Sequence, residues 1–169
     1  MPDAAAWIRV LNLAPHPEGG HYRRTFASPH ASAVPGLTGK RLFSSAIFFL
    51  LQSHEKDRLH RLKSDEMWHF YDGSPLTLHL IQPSGEYVAL HLGLDPELGQ
   101  RPQVLVSAGA WFGATVDQPD SFTLAGCTVT PGFDFTDFDL ADRADLIRQF
   151  PAHAGLIEKL TEPSGENAP

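Results

Sequence analysis

The sequence predicts an all-β sandwich or barrel, and three observations predict it. The 169 residues include 14 Gly, 14 Pro and 11 Phe, a balance of turn-formers and flat bulky side chains that suits strands better than a helix bundle. From Tyr22 onward the chain reads as short runs with strand character broken by turn signals. Helical periodicity is confined to the two ends.

The elements follow in order. Asp3 is placed to cap a helix whose apolar residues Trp7, Val10, Leu11 and Ala14 recur at helical spacing, and Pro15 ends it. Pro15-His16-Pro17-Glu18-Gly19-Gly20 is a shaped loop, because two prolines fix φ and two adjacent glycines admit backbone angles that other residues avoid. Strands are then expected at 22–26, 43–51, 57–62, 66–71, 76–81, 87–92, 104–107, 111–116 and 121–130. Phe133 to Phe138 is an extended arm laid over the core. Asp142 caps a helix carrying Leu146, Ile147 and Phe150, Pro151 stops it, and Leu156, Ile157 and Leu160 form a last helical turn. Nothing divides the chain, so a single domain over residues 1–160 is expected, with a disordered tail at 161–169.

Composition narrows the function classes. Thirteen Lys and Arg against twenty Asp and Glu leave a formal charge of −7, which argues against nucleic acid and against acidic membranes as partners. The one cysteine, Cys127, excludes an intramolecular disulfide or a multi-cysteine zinc site and reads as a buried structural thiol. No apolar run approaches the roughly 20 residues of a membrane span, and the N-terminus lacks a secretory pattern. A cytoplasmic protein is the expectation.

The densest polar and aromatic segment runs from His60 to Gly73. If 57–62 and 66–71 form a hairpin, His60, Leu62, Glu66, Trp68 and Phe70 share one face, so an imidazole and a carboxylate meet in an aromatic setting. His69, Tyr71 and Trp111 alternate to the other face. Two readings of His60 and Glu66 stand side by side: a buried polar pair that satisfies itself, and a pair for general acid/base work.

His60-x-Leu62, Glu66 and Gly73 resemble the first motif of the cupins, H-x-H-x3-E-x6-G, with Leu62 in place of the second histidine. The second motif falls on Ser107 to Phe112, with Phe112 where a third histidine ligand belongs. More narrowly, the blocks at residues 13–25, 59–70, 109–112 and 127–135 resemble the DUF985, or cupin-5, family.

The resemblance implies a cupin double-stranded β-helix, a jelly-roll barrel with a pocket inside, flanked by a short N-terminal helix and short C-terminal helices, often as a homodimer. It supplies no reaction. Leu62 and Phe112 cannot ligate, and a usual catalytic zinc site takes three protein ligands, so no metal and no other cofactor is expected. His79 or His91 would have to turn inward to complete such a site, and the pattern Leu76, Leu78, Leu80 turns His79 outward.

The resulting expectation is a barrel that binds a small polar organic molecule and performs metal-independent acid/base chemistry of the sugar epimerase or isomerase type. His60 and Glu66 are the catalytic pair; Trp68, Phe70 and Phe112 form an aromatic wall, and Glu18, Tyr22 and Arg23 reach over the pocket. The alternatives are a non-catalytic carbohydrate-binding protein and a metal-dependent enzyme with an additional ligand. The segment 22–26 is the expected site of sheet extension across a homodimer.

Overall fold

The computed structural model describes residues 2–163. Helix α1 (Ala4–Leu11) leads into strands β1 (Ala14–Pro15), β2 (His21–Ala27), β3 (Ala31–Ala33), β4 (Lys40–Leu42), β5 (Ser45–Gln52), β6 (Asp57–Leu62), β7 (Asp65–Gly73), β8 (Leu76–Ile81), β9 (Tyr87–Leu92), β10 (Gln103–Val106), β11 (Trp111–Val116), β12 (Phe122–Thr130) and β13 (Phe138–Leu140), followed by helices α2 (Arg143–Gln149) and α3 (Ala154–Lys159). The long strands form two antiparallel sheets, one ordered β1-β2-β5-β12-β7-β10 and the other β13-β6-β11-β8-β9; β3 and β4 pair separately. This is the expected jelly-roll barrel.

Alternation explains why the sheets face each other. In β8, Leu76, Leu78 and Leu80 are buried in the central core with Phe49, Trp68, Val106 and Phe112. The opposite face of the second sheet is also covered: Leu59, Ile81 and Trp111 pack under Leu146, Ile157 and Leu160 of the C-terminal helices. Trp111 therefore belongs to the outer cluster, with the Arg61 guanidinium 4.6 Å above its ring.

Helix α1 is capped by Asp3, whose carboxylate accepts from the Ala6 N–H at 2.8 Å, and it ends at Asn12 in the left-handed region. Its packed side is Ala4, Trp7, Ile8 and Leu11, while Val10 is exposed, because the short helix turns Ile8 rather than Val10 toward β5 and β12. Asp142 caps α2 as the sequence suggests, accepting from the Asp145 N–H. Thr161, expected to open a frayed tail, is instead buried: Arg143 donates to its hydroxyl and carbonyl, and Lys56 donates to its carbonyl. Residues 164–169 of the expected tail lie outside the described residues.

One pairing differs from expectation. Strands β6 and β7 do not form a hairpin: β6 lies between β13 and β11, and β7 between β12 and β10. The short Lys63-Ser64 link carries the chain from one sheet to the other. A short link is compatible with a corner as well as with a hairpin. His60 and Glu66 still converge, because each points inward from its own sheet.

Candidate functional site

Between the sheets, near one end of the barrel, lies a cavity of about 70 Å³. Its polar wall is His16, Glu18, Asp57, His60 and Glu66; the facing wall includes Tyr22, Phe49, Trp68 and Cys127, and Arg24, Phe133 and Phe135 stand at the mouth.

Asp57 and His60 sit three residues apart on β6, so strict alternation would send them to opposite faces. A bulge reconciles them. Phe112 pairs with His60 and Ala114 with Asp57, so two steps along β11 span three along β6. Gly113 makes room for the extra residue, since a Cβ there would lie 2.6 Å from the Asp57 carbonyl oxygen. The bulge also places the Arg58 carbonyl 2.7 Å from His60 Nδ1. That acceptor assigns the proton to Nδ1 and leaves the Nε2 lone pair free, 3.4 Å from a Glu18 oxygen.

Glu18 arrives from the loop between β1 and β2. Gly19 (φ +116°) seats the loop against β6, where a Cβ would collide with the Lys56 carbonyl oxygen. The Arg58 N–H then donates to the Glu18 carbonyl at 2.9 Å, and the Arg58 guanidinium donates to the Pro17 carbonyl. Glu18 ends 7% exposed. His16, held edge-on against Tyr22 and Phe49, lies 3.5 Å from the Glu18 carboxylate.

Burial dominates the electrostatics. It holds His60 down to about 3 and His16 down to about 4, so both imidazoles are neutral near pH 7. It pushes Glu66 up to about 7, against the opposing pull of the Trp68 indole and the Cys127 thiol. Glu18 and Asp57 are raised well above the carboxylate range by burial and then by neighbouring carboxylates, Glu66 among them. Neither Asp57 oxygen meets an N–H or hydroxyl donor, and Glu66 Oε2 and Trp68 Nε1 also lack partners. Buried polar groups are normally satisfied, so these orphaned atoms give this wall hydrogen-bonding capacity that the protein's own network does not use.

The sequence-predicted residues divide cleanly. His60, Glu66, Trp68, Glu18 and Tyr22 line the cavity. Phe112 points inward but is buried against the His60 ring, centroids 4.0 Å apart, and Phe70 packs on the core away from the cavity. Arg23 faces out, with its guanidinium 5.8 Å from the Phe48 ring centroid, and Arg24 takes the place expected of it because it shares a face with Tyr22. His79 bonds Tyr87 and Thr115 on the outer face, and His91 bonds Thr77 there, so neither reaches the cavity. Asp57 and His16 were not singled out from sequence. His16 is visible in the loop block, whereas Asp57 depends on a bulge that no local pattern announces.

A family model described as the cupin superfamily (DUF985) matches residues 5–141. The chain belongs to this family. Among solved structures, this DUF985 cupin is similar to a Shewanella oneidensis protein, with 41% identity, a TM-score of 0.89, and coverage of 97% of this chain and 100% of that one. It is similar also to a hypothetical protein from Leishmania major, at 34% identity and TM-score 0.90, over 95% of this chain and 99% of that one. A cupin 2 domain-containing protein from Halorhodospira halophila, 13% identical with a TM-score of 0.56 over 90% and 89% of the two chains, shares the fold. No curated protein matches the chain.

The residues at the superfamily's usual metal positions do not fit a metal in this cupin. His60 and Glu66 offer donors, but Leu62 and Phe112 are a buried aliphatic and a buried aromatic side chain. No helix among the described residues is long and apolar enough to cross a membrane.

Proposed function

We propose that the barrel binds a small polar organic molecule, a carbohydrate derivative by class, and moves a proton on it in an epimerase or isomerase type of reaction. The observation that carries this reading is Glu66: a carboxyl group in the cavity wall, with an unpartnered oxygen and a pKa pushed up to about 7. A general acid/base works best when its pKa lies near the operating pH. His60, expected from sequence to share this work, is a neutral imidazole with Nε2 open; its role in this reading is to hold a ligand hydroxyl and orient it. The cavity admits only the reacting end of a sugar-sized molecule, since its volume of about 70 Å³ exceeds the roughly 10–15 Å³ one water needs by this measure but falls well short of the roughly 300–1,000 Å³ of ligand pockets. The remainder lies at the mouth, beside the exposed Arg24 and Phe135. A dTDP sugar isomerase from Desulfovibrio desulfuricans has a related fold at 13% identity and TM-score 0.50, over 73% of this chain and 82% of that one, a likeness of architecture alone.

The test is deuterium incorporation from heavy water into a panel of keto-sugar derivatives, followed by NMR. Wild type is expected to exchange a proton beside the carbonyl of at least one compound, and Glu66→Gln to lose about 100-fold or more of that rate. Saturable binding without exchange would instead establish a non-catalytic carbohydrate-binding protein.

A further inference from the structure

Going beyond that reading, we infer that Glu18, Asp57 and His60 form a site for a divalent transition-metal cation, in which His60 keeps a usual superfamily ligand position and Glu18 and Asp57 stand in for the ligands lost at Leu62 and Phe112. One donor atom from each of the three lies within 4.8 Å of the others, and all three side chains are buried. Four features of the geometry support a cation over a self-contained polar cluster.

First, no N–H or hydroxyl of the protein donates to either Asp57 oxygen although the residue is 1% exposed, and the one polar group set against it is another buried carboxyl, Glu18. A carboxylate buried without a donor is costly, and a cation supplies what the protein does not. Second, the 3.4 Å between His60 Nε2 and Glu18 Oε2 exceeds the usual hydrogen-bond range. Ligand atoms about 2.1 Å from a tetrahedral ion stand roughly 3.4 Å from one another. Third, His60 donates Nδ1–H to the Arg58 carbonyl at 2.7 Å, the arrangement that orients a metal-binding imidazole and presents Nε2 to the ion. Fourth, two carboxylates balance a charge of +2, so the filled site buries no net charge.

One imidazole and two carboxylates suit zinc, manganese or iron, and three protein ligands leave a position open toward the cavity. Glu66 is outside the ligand set and keeps its proton-transfer role, while His60, with Nε2 on the cation, would hold the ligand oxygen through the cation, whose open position would take and polarise that oxygen. The arrangement without a cation is a proton shared between Glu18 and Asp57. The two arrangements differ in whether the purified protein takes up metal.

The experiment strips the full-length, untagged protein with a chelator, adds back Zn²⁺, Mn²⁺ or Co²⁺ separately, removes unbound ion by gel filtration, and measures metal per chain by mass spectrometry. Wild type and Glu66→Gln are expected to retain one equivalent of at least one of these ions, and Co²⁺ to show visible ligand-field bands. Asp57→Asn and Glu18→Gln are expected to lose the ion, with circular dichroism confirming the fold. Should Asp57→Asn not fold, Glu18→Gln carries the same comparison from a loop position. Absence of stoichiometric uptake by wild type overturns the inference, as does equal retention by wild type and both ligand variants. The two readings fail separately: metal uptake without proton exchange on any sugar derivative leaves this site standing and removes the proposed reaction.

Discussion

His60 Nδ1 lies 2.7 Å from the carbonyl oxygen of Arg58, two residues earlier on the same strand. A regular strand does not turn that carbonyl toward its own inward side chain; the bulge between Asp57 and His60 does. The same irregularity fixes the imidazole's tautomer and brings Asp57 to its side of the sheet. The chemistry of the site is thus set by one extra residue in β6 and by the absence of a side chain at Gly113.

Gly113→Ala should therefore damage both stability and site. The new methyl would meet the Asp57 carbonyl oxygen at 2.6 Å and the Leu59 nitrogen at 3.2 Å, both main-chain atoms that cannot swing aside. Overpacking of this kind costs about 1–3 kcal/mol. Urea denaturation should show that loss together with weaker metal uptake, and a variant matching wild type in both would refute the role given to the bulge.

Glu66 should write its own pH dependence into stability. Its folded pKa of about 7 lies above the ordinary 4.5, so the folded protein holds the proton more tightly than the unfolded chain. The contribution is complete below about pH 4.5 and is withdrawn as pH rises to about 7, amounting to about 3 kcal/mol. His60 and His16, depressed to about 3 and about 4, act with the opposite sign, so that stability rises with pH until about 6.5. Comparing wild type with Glu66→Gln in the presence of chelator isolates the carboxyl. The stability difference between the two should shift against wild type from pH 4.5 to pH 7; a difference that stays flat would mean Glu66 titrates normally.

Much of this was legible in the sequence, for a physical reason that differs from element to element. Strands β8, β9 and β11 are bounded as their alternation and turn residues predict, because one face of each is buried against the opposing sheet. Glu18 was visible as part of a loop whose glycines serve one conformation. Alternation carried from Tyr22 turns Arg24 toward the cavity and Arg23 away from it, whereas the compact block from Glu18 to Arg23 does not by itself distinguish the two faces. Asp57 was not recoverable, since its inward direction depends on a bulge opposite Gly113, more than fifty residues away. The pairing of β6 was hidden for the same reason: its partners β11 and β13 are distant in sequence, whereas the neighbouring β7 is near.

Arg41 and Asp137 hold the arm that forms the cavity mouth. The guanidinium reaches both Asp137 oxygens, with both residues buried, and also donates to Thr136 Oγ1 and to the Thr38 and Lys40 carbonyls. Arg41→Ala would leave the buried Asp137 carboxylate only the exposed Lys63 ammonium, 3.8 Å away, at a cost of about 3 kcal/mol. Asp137→Leu combined with Arg41→Met should recover most of that loss in urea denaturation. If the single variant costs less than about 1 kcal/mol, the pair is not what fixes Phe133 and Phe135 over the pocket.

Strand β2 offers an edge for a second copy of the chain, and we propose that the protein is a homodimer through it. On one side β2 pairs with β5 along its length, while on the other β1 reaches only His21 and Tyr22. Arg23 to Ala27 therefore present an outer edge with no strand beside it among the described residues, and Phe26 is 50% exposed. Open strand edges are places where another chain can add its hydrogen bonds, and a two-fold axis would let the same segment serve both copies. Sedimentation velocity at micromolar concentration should show a dimer, and Phe26→Lys should shift it toward monomer while leaving metal uptake intact. A wild-type protein that sediments as a monomer would end this proposal without touching the site, because every residue assigned to the cavity comes from one chain.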